Sequence, residues 1–197
     1  MDIKEDWDIN TAFTPGKNGL VVIKTGTGGS VEGYKGKYTK LAEYINEKTG
    51  LAVLIADNPA DADKEENFDV TMTAVEFSAD VTDIDDEKDV PVYYVGFSSA
   101  AAMGAIYGYK YDYIKKMILV NPTFTINWHK QKNGLDSFSG EKAIVVVGSA
   151  DISFKYSGML DFIQNSRVQR ITIDGADHFF SNHMDDIKDL IYKEVTK

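Results

Sequence analysis

Residues 90–109 read VPVYYVGFSSAAAMGAIYGY. An apolar run short enough for a strand meets two serines and continues as a helix of unusually small residues. The run carries the β-branched and aromatic side chains of a strand buried on both faces. Gly96 stands two positions before Ser98, and Ala100 two positions after it. A serine at a tight strand-to-helix turn is held in a strained backbone conformation that pushes its Oγ out of the chain. The residues two before and two after must then be small, because the turn brings their backbones together. Ser99 fits this pattern less well, since the large Phe97 stands two before it. Ala100, Ala101, Ala102, Gly104 and Ala105 would let the helix approach the sheet closely. The same turn also suits a plain helix start, with Ser98 or Ser99 as N-cap, and the spacing alone leaves both readings open.

Outward from this corner, short apolar runs recur: LVVI (20–23), LAVLI (51–55), MILV (117–120), AIVVV (143–147) and VQRITI (168–173). With VPVYYV they make six predicted strands. Between the first two, Leu41, Tyr44 and Ile45 share one helical face, and Gly50 is a plausible C-terminal stop. Further helices are predicted over 99–109, 156–165 and 183–194. Residues 67–79 fit a helix, although their Val and Thr content also suits a strand. The acidic DVTDIDDEKD that follows, at 80–89, reads as a solvated connector. Strands alternating with helices predict an α/β three-layer sandwich: a mainly parallel sheet of about six strands, with helices on both faces, in one domain over residues 1–197. Trp7, Ile9 and Phe13 are expected to tether the polar N-terminal segment to a sheet edge or to a partner chain.

Composition excludes several functions. The 197 residues carry a formal charge of -10, which opposes nucleic acid and anionic lipid as partners. Cysteine is absent, so disulfides, thiolate metal sites and a Cys nucleophile are ruled out. No metal-ligand spacing stands out, and no metal or organic cofactor is expected. The opening MDIKEDWDIN lacks an apolar signal core, and no run is long enough to span a bilayer. A cytoplasmic location is therefore expected.

In parallel sheets, ligands gather at the carboxyl ends of the strands, so the residues just past each run matter most. After Val147 comes GSADISF, which puts Asp151 in a post-strand loop; after Ile173 comes DGADHFF, which does the same for His178. Ser98, Asp151 and His178 thus follow three strands in that order. GFSSA, GSAD and GADHFF together resemble the α/β-hydrolase fold family, whose triad runs Ser…Asp…His along the chain. The resemblance covers the chain from about Gly19 to its end. It implies a small serine hydrolase, trimmed at the N-terminus because residues 1–19 are too few and too polar for the antiparallel hairpin that opens larger members. Ser98 is then the nucleophile, His178 the general base and Asp151 its orienting acid. His129 lies in a variable segment between strands, and His183 begins the last predicted helix, where it more naturally caps or decorates. Some relatives carry the acid one strand earlier; here that position is Asn121. Asp57 comes too early in the order and reads as a turn or cap residue, and Asp174 and Asp177 do not follow the acid-bearing strand. The oxyanion hole is implied to use the backbone N–H groups of Ser99 and Thr27. Relatives often have His-Gly-x-Gly at the second of these loops, where this chain has Thr25-Gly26-Thr27-Gly28.

The expected activity is cleavage of an ester, thioester or amide through an acyl-enzyme, carboxylesterase-like in kind, on a small-molecule or peptide acyl substrate. Residues 121–142 are too short for a large cap. Phe124, Ile126, Trp128 and Phe138 there suit either a small lid or plain packing, and Phe97 and Met103 suit either an acyl pocket or the core. Two other functions compete. TGTGGS, from Thr25 to Ser30, also resembles the phosphate loop of flavodoxin-like proteins and would then cradle FMN; the glycines of VEGYKGK, where a helix should begin, count against it. The other rival is a binding protein that keeps the hydrolase fold without catalysing.

Overall fold

The runs LVVI, LAVLI, VPVYYV, MILV and AIVVV form strands because each short apolar stretch can be covered on both sides, whereas VQRITI, with polar residues among its apolar ones, forms a half-exposed edge of the sheet. The computed structural model describes residues 9–82 and 90–197. Its seven strands are β1 (Thr11–Thr14), β2 (Leu20–Lys24), β3 (Ala52–Ala56), β4 (Val92–Phe97), β5 (Ile114–Val120), β6 (Lys142–Gly148) and β7 (Val168–Ile173). They lie in one sheet in the order β1-β3-β2-β4-β5-β6-β7. All neighbours are parallel except β1, which runs antiparallel to β3. Alternate side chains of a strand point to opposite faces, and β2 shows the consequence. Leu20 and Val22 join the core with Leu54, Phe68, Met72 and Tyr94. Val21 and Ile23 join the opposite core with Leu41, Ile45, Ile187 and Ile191.

Among the described residues, five α-helices cover these faces: α1 (Lys37–Thr49), α2 (Lys64–Asp80), α3 (Ser99–Tyr107), α4 (Trp128–Ser137) and α5 (Met184–Val195). α1 ends on Gly50 in the left-handed region, as its sequence predicts. The segment around 67–79 is helix. Its start is fixed by Asp63, whose side chain accepts from the N–H groups of Glu65 and Glu66. Phe68, Met72 and Val75 then share the buried face, and that helical period outweighs the strand leaning of Val and Thr. The stretch expected as a helix over 156–165 is instead a 3-10 helix, Phe154–Phe162. Its buried residues, Ser157 and Leu160, are three apart, the spacing that the tighter helix stacks.

A seventh strand, β1, joins the six read from the sequence in the expected sheet of about six. The described part of the N-terminal segment supplies one four-residue edge strand. Asn10 anchors it, donating from its N–H and Nδ2 to the two carboxylate oxygens of Asp57 at 2.9 and 2.7 Å. Asp57 is thus a clamp on the edge strand. Ile9 is buried and Phe13 packs against the core; Trp7 and most of the acidic connector lie outside the described residues.

Of the two readings of residues 121–142, the packing one fits the structure. Phe124 and Phe138 are core residues, with Ile126 and Trp128 packed against them. α4 lies close on α3, because Gly134 faces the carbonyls of Ala105 and Ile106, where any Cβ would collide. Phe97 and Met103 are likewise buried in the two cores. Among the described residues, no helix is long and apolar enough to cross a membrane.

Candidate active site

Ser98 joins β4 to α3 with φ 54° and ψ -114°. A non-glycine residue with positive φ is uncommon, and holding one costs on the order of 1–3 kcal/mol. The surroundings hold the turn in place. The Ser98 N–H donates to the Val120 carbonyl at 2.8 Å, and the Ser98 carbonyl accepts from the Ala102 N–H at 3.1 Å. A Cβ on Gly96 would lie 2.8 Å from the Ala100 carbonyl oxygen, and one on Gly26 would lie 3.3 Å from the Ser98 Cβ. The sequence requirement for small residues is therefore a requirement for close backbone approach. Tyr94 braces the same turn, donating its hydroxyl to the Ala100 carbonyl at 2.8 Å.

Ser98 makes no side-chain cap bond to α3. Its Oγ lies 3.0 Å from His178 Nε2, and His178 Nδ1 lies 2.5 Å from Asp151 Oδ2. The other oxygen, Asp151 Oδ1, accepts from the Ser153 N–H at 2.6 Å and from its hydroxyl at 2.8 Å. The Asp151 side chain is only 1% exposed and that of His178 33%, so the carboxylate is sealed while the imidazole edge is open to a ligand. The three residues come from the loops after β6 and β7 and the corner after β4, all at the carboxyl edge of the sheet. His129 lies on α4, and His183 pairs with Asp186 at 2.8 Å beside α5. Asp174 accepts from the Ser149 hydroxyl.

Several polar residues hold the His178 loop. Asn121, 1% exposed, donates from Nδ2 to the carbonyls of Asp177 and His178 at 3.1 and 3.2 Å. Its Oδ1 accepts from the Gly148 N–H at 2.8 Å. A carboxylate at that position would face two carbonyl oxygens, which explains why the position one strand before Asp151 holds an amide. The Asp177 carboxylate accepts from the N–H groups of Phe179 and Ser181, and such bonds, with Ser181 foremost, hold it below the usual carboxylate range. Lys37 Nζ donates to the Phe179 carbonyl at 2.9 Å and sits 4.6 Å from the centre of the Phe97 ring. Burial lowers its ammonium to about 8, against an opposing pull from Asp177. Thr123 Oγ1 stands 3.3 Å from Ser98 Oγ.

The loop after β2 forms the other wall. Thr25 Oγ1 donates to the Gly29 carbonyl at 2.8 Å, and the Gly29 N–H to the Gly26 carbonyl at 2.9 Å. The Gly28 N–H donates to the Asn58 carbonyl at 2.7 Å. With Gly28 and Gly29 already paired to carbonyls, the loop is not the open nest that a phosphate group needs. α1 begins only after a 3-10 turn, Tyr34–Gly36, so no helix N-terminus follows the loop directly. The flavodoxin-like reading of Thr25 to Ser30 therefore loses its physical basis. Beneath the loop, the fully buried Lys24 donates to the Asp57 carbonyl. Burial lowers its ammonium to about 7, and Asp57 partly opposes the shift.

Sequence reasoning did not single out Asn58, Thr123 or Lys37, and it weighed Asn121 only as the position where some relatives carry the acid. Asn58 and Asn121 did carry a signal, since each sits within two residues of a strand's carboxyl end.

No protein-family model matches the chain, and neither does any curated protein. Solved structures do. Est1E from Butyrivibrio proteoclasticus superposes with a TM-score of 0.77 at 18% identity, over 97% of this chain and 96% of that one. Est1E with ferulic acid bound gives 0.76 at 17%, over 95% and 94%. An alpha-beta serine hydrolase homologue from Coxiella burnetii gives 0.72 at 15%, over 94% and 91%. A dienelactone hydrolase from Anabaena variabilis gives 0.68 at 18%, over 95% and 91%. The chain has the α/β-hydrolase fold.

Proposed function

We propose that this chain is a serine hydrolase, carboxylesterase-like in kind, that cleaves an ester, thioester or amide through an acyl-enzyme. The observation that carries the reading is the unbroken line of hydrogen bonds from Asp151 through His178 to Ser98 Oγ, on a strained corner at the sheet's carboxyl edge. A protein that only binds has no use for a backbone held at positive φ to aim one hydroxyl at one imidazole. The names of the structural neighbours, an esterase and hydrolases, agree with the reading.

In the proposed reaction, Ser98 Oγ attacks the acyl carbon while its proton passes to His178 Nε2. Asp151 keeps the Nδ1 proton in place and stabilises the imidazolium. The tetrahedral oxyanion lies against the N–H groups of Ser99 and Thr27, the first of them in the opening turn of α3, where N–H groups lack helical partners. The carbon–heteroatom bond breaks, and His178 gives its proton to the leaving group. Water then attacks the acyl-serine and passes a proton to His178; the acid leaves, and the proton returns to Ser98.

Stopped-flow mixing with p-nitrophenyl acetate tests this cycle. The expected trace is an initial release of nitrophenolate approaching one equivalent per chain, then a slower steady rate, with an acetyl group on the Ser98 peptide after acid quench. Phenyl thioacetate and a feruloyl ester extend the test to thioesters and to the acid held by Est1E. Folded protein that turns over none of the three faster than buffer contradicts the proposal.

A further inference from the structure

The second serine of the corner does something that its backbone N–H does not explain. Ser99 is 3% exposed, and its Oγ accepts two hydrogen bonds. Thr27 Oγ1 donates to it at 2.6 Å, and Asn58 Nδ2 donates at 2.9 Å. Asn58, 5% exposed, also donates to the Thr25 carbonyl at 3.2 Å and accepts from the Gly28 N–H. Ser99 and Thr27 are the residues whose N–H groups are proposed to hold the oxyanion. Their side chains are bonded to each other across the gap between α3 and the loop after β2.

That loop needs such a link. Gly26, Gly28 and Gly29 give it little intrinsic preference for one shape. Its bonds through Thr25, Gly28 and Gly29 run within the loop, to the end of β3 or to the segment after it; they shape the loop without setting its distance from α3. The Thr27–Ser99 bond sets that distance, and Asn58 ties the same hydroxyl to both ends of the arrangement.

We infer that the Ser99 hydroxyl, Thr27 Oγ1 and Asn58 form a latch that fixes the spacing of the two oxyanion donors, making Ser99 through its side chain, and Asn58, positioning residues for the proposed reaction. The inference rests on the serine-hydrolase reading. An oxyanion site works only when its donors are preset for the charge that develops. Loosening the latch should therefore slow bond formation at Ser98 and leave initial binding alone.

The test is the saturation kinetics of inactivation by an alkyl fluorophosphonate, whose attack by Ser98 forms a serine O–P bond, expels fluoride and puts negative charge on the phosphoryl oxygen. Thr27→Val keeps the N–H and the shape and loses the hydroxyl, on an exposed loop position where folding is not at stake. Thr27→Val and Ser99→Ala are each expected to lower kinact about tenfold with KI within about twofold of wild type, the loss of roughly one hydrogen bond's worth of positioning. The double variant should be no slower than Ser99→Ala alone, because that variant already loses the Thr27 bond along with the one from Asn58. Thr27→Ser should recover to within about threefold of wild type, and Asn58→Ala should behave like Ser99→Ala. Wild-type kinact in Thr27→Val and Ser99→Ala, or losses that multiply in the double variant, would overturn the latch and leave the hydrolase reading standing. A wild type that takes no adduct overturns both, so the two failures are distinguishable.

Discussion

Replacing His178 with alanine is expected to lower kcat on p-nitrophenyl acetate by about 10⁶, the scale seen when the base of a Ser-His-Asp set is removed. The physical reason lies in the 3.0 Å contact between Nε2 and Ser98 Oγ. A serine hydroxyl at neutral pH is a weak nucleophile unless a base takes its proton as it attacks. The same nitrogen must later protonate the leaving group, so its loss strikes both halves of the cycle. Thr123 Oγ1, 3.3 Å from Ser98 Oγ, cannot substitute, because a hydroxyl does not accept that proton at neutral pH. His183→Ala is the matched control: its imidazole pairs with Asp186 beside α5, and its activity should stay near wild type. A His178→Ala variant within tenfold of wild type would contradict the account.

Asp151→Asn is expected to cost about 10⁴ in kcat with the fold intact, as tautomer inversion does in this kind of arrangement. The local bonds decide which way the new amide must turn. Oδ1 of Asp151 accepts from both the N–H and the hydroxyl of Ser153. An asparagine therefore keeps its carbonyl oxygen there and turns its NH₂ toward His178. Nδ1 must then accept rather than donate. The ring proton moves to Nε2, and the nitrogen facing Ser98 is left unable to take a proton. The side chain is nearly isosteric and sealed from solvent, so the melting temperature should move little while turnover collapses. Steady-state kinetics with a thermal melt checks this, and a loss under tenfold would mean that Asp151 does not set the tautomer.

What the sequence revealed and what it hid divide along a physical line. The meeting of Ser98, Asp151 and His178 was legible because each stands just past a strand-forming run, at the carboxyl edge where parallel sheets gather ligand-facing residues. The apolar character of the central runs also made the layer arrangement readable, since alternate residues of LVVI serve opposite cores. β1 was hidden because its four residues, TAFT, are polar at both ends and only half-buried; its place depends on the Asn10–Asp57 clamp, a contact between positions 47 apart. Asn58 and Asn121 stood in the right places, but an asparagine carries no motif, and its role is set by which carbonyls the fold brings near. Asn121 also adopts φ 44°, a conformation that asparagine tolerates better than most residues. The aromatic residues of 121–142 left two readings open. Phe124 and Phe138 look the same in sequence whether they line a lid or fill a core, and only the approach of α4 to α3 at Gly134 decides for the core.

The central claim is that Ser98 is an activated nucleophile. Intact-mass spectrometry after exposure to a fluorophosphonate tests it most directly, with folded wild type and Ser98→Ala side by side. The account predicts one adduct on every wild-type chain and none on Ser98→Ala, even though Ser99 lies next to it. No adduct on folded wild type, or an equal adduct on Ser98→Ala, would contradict it.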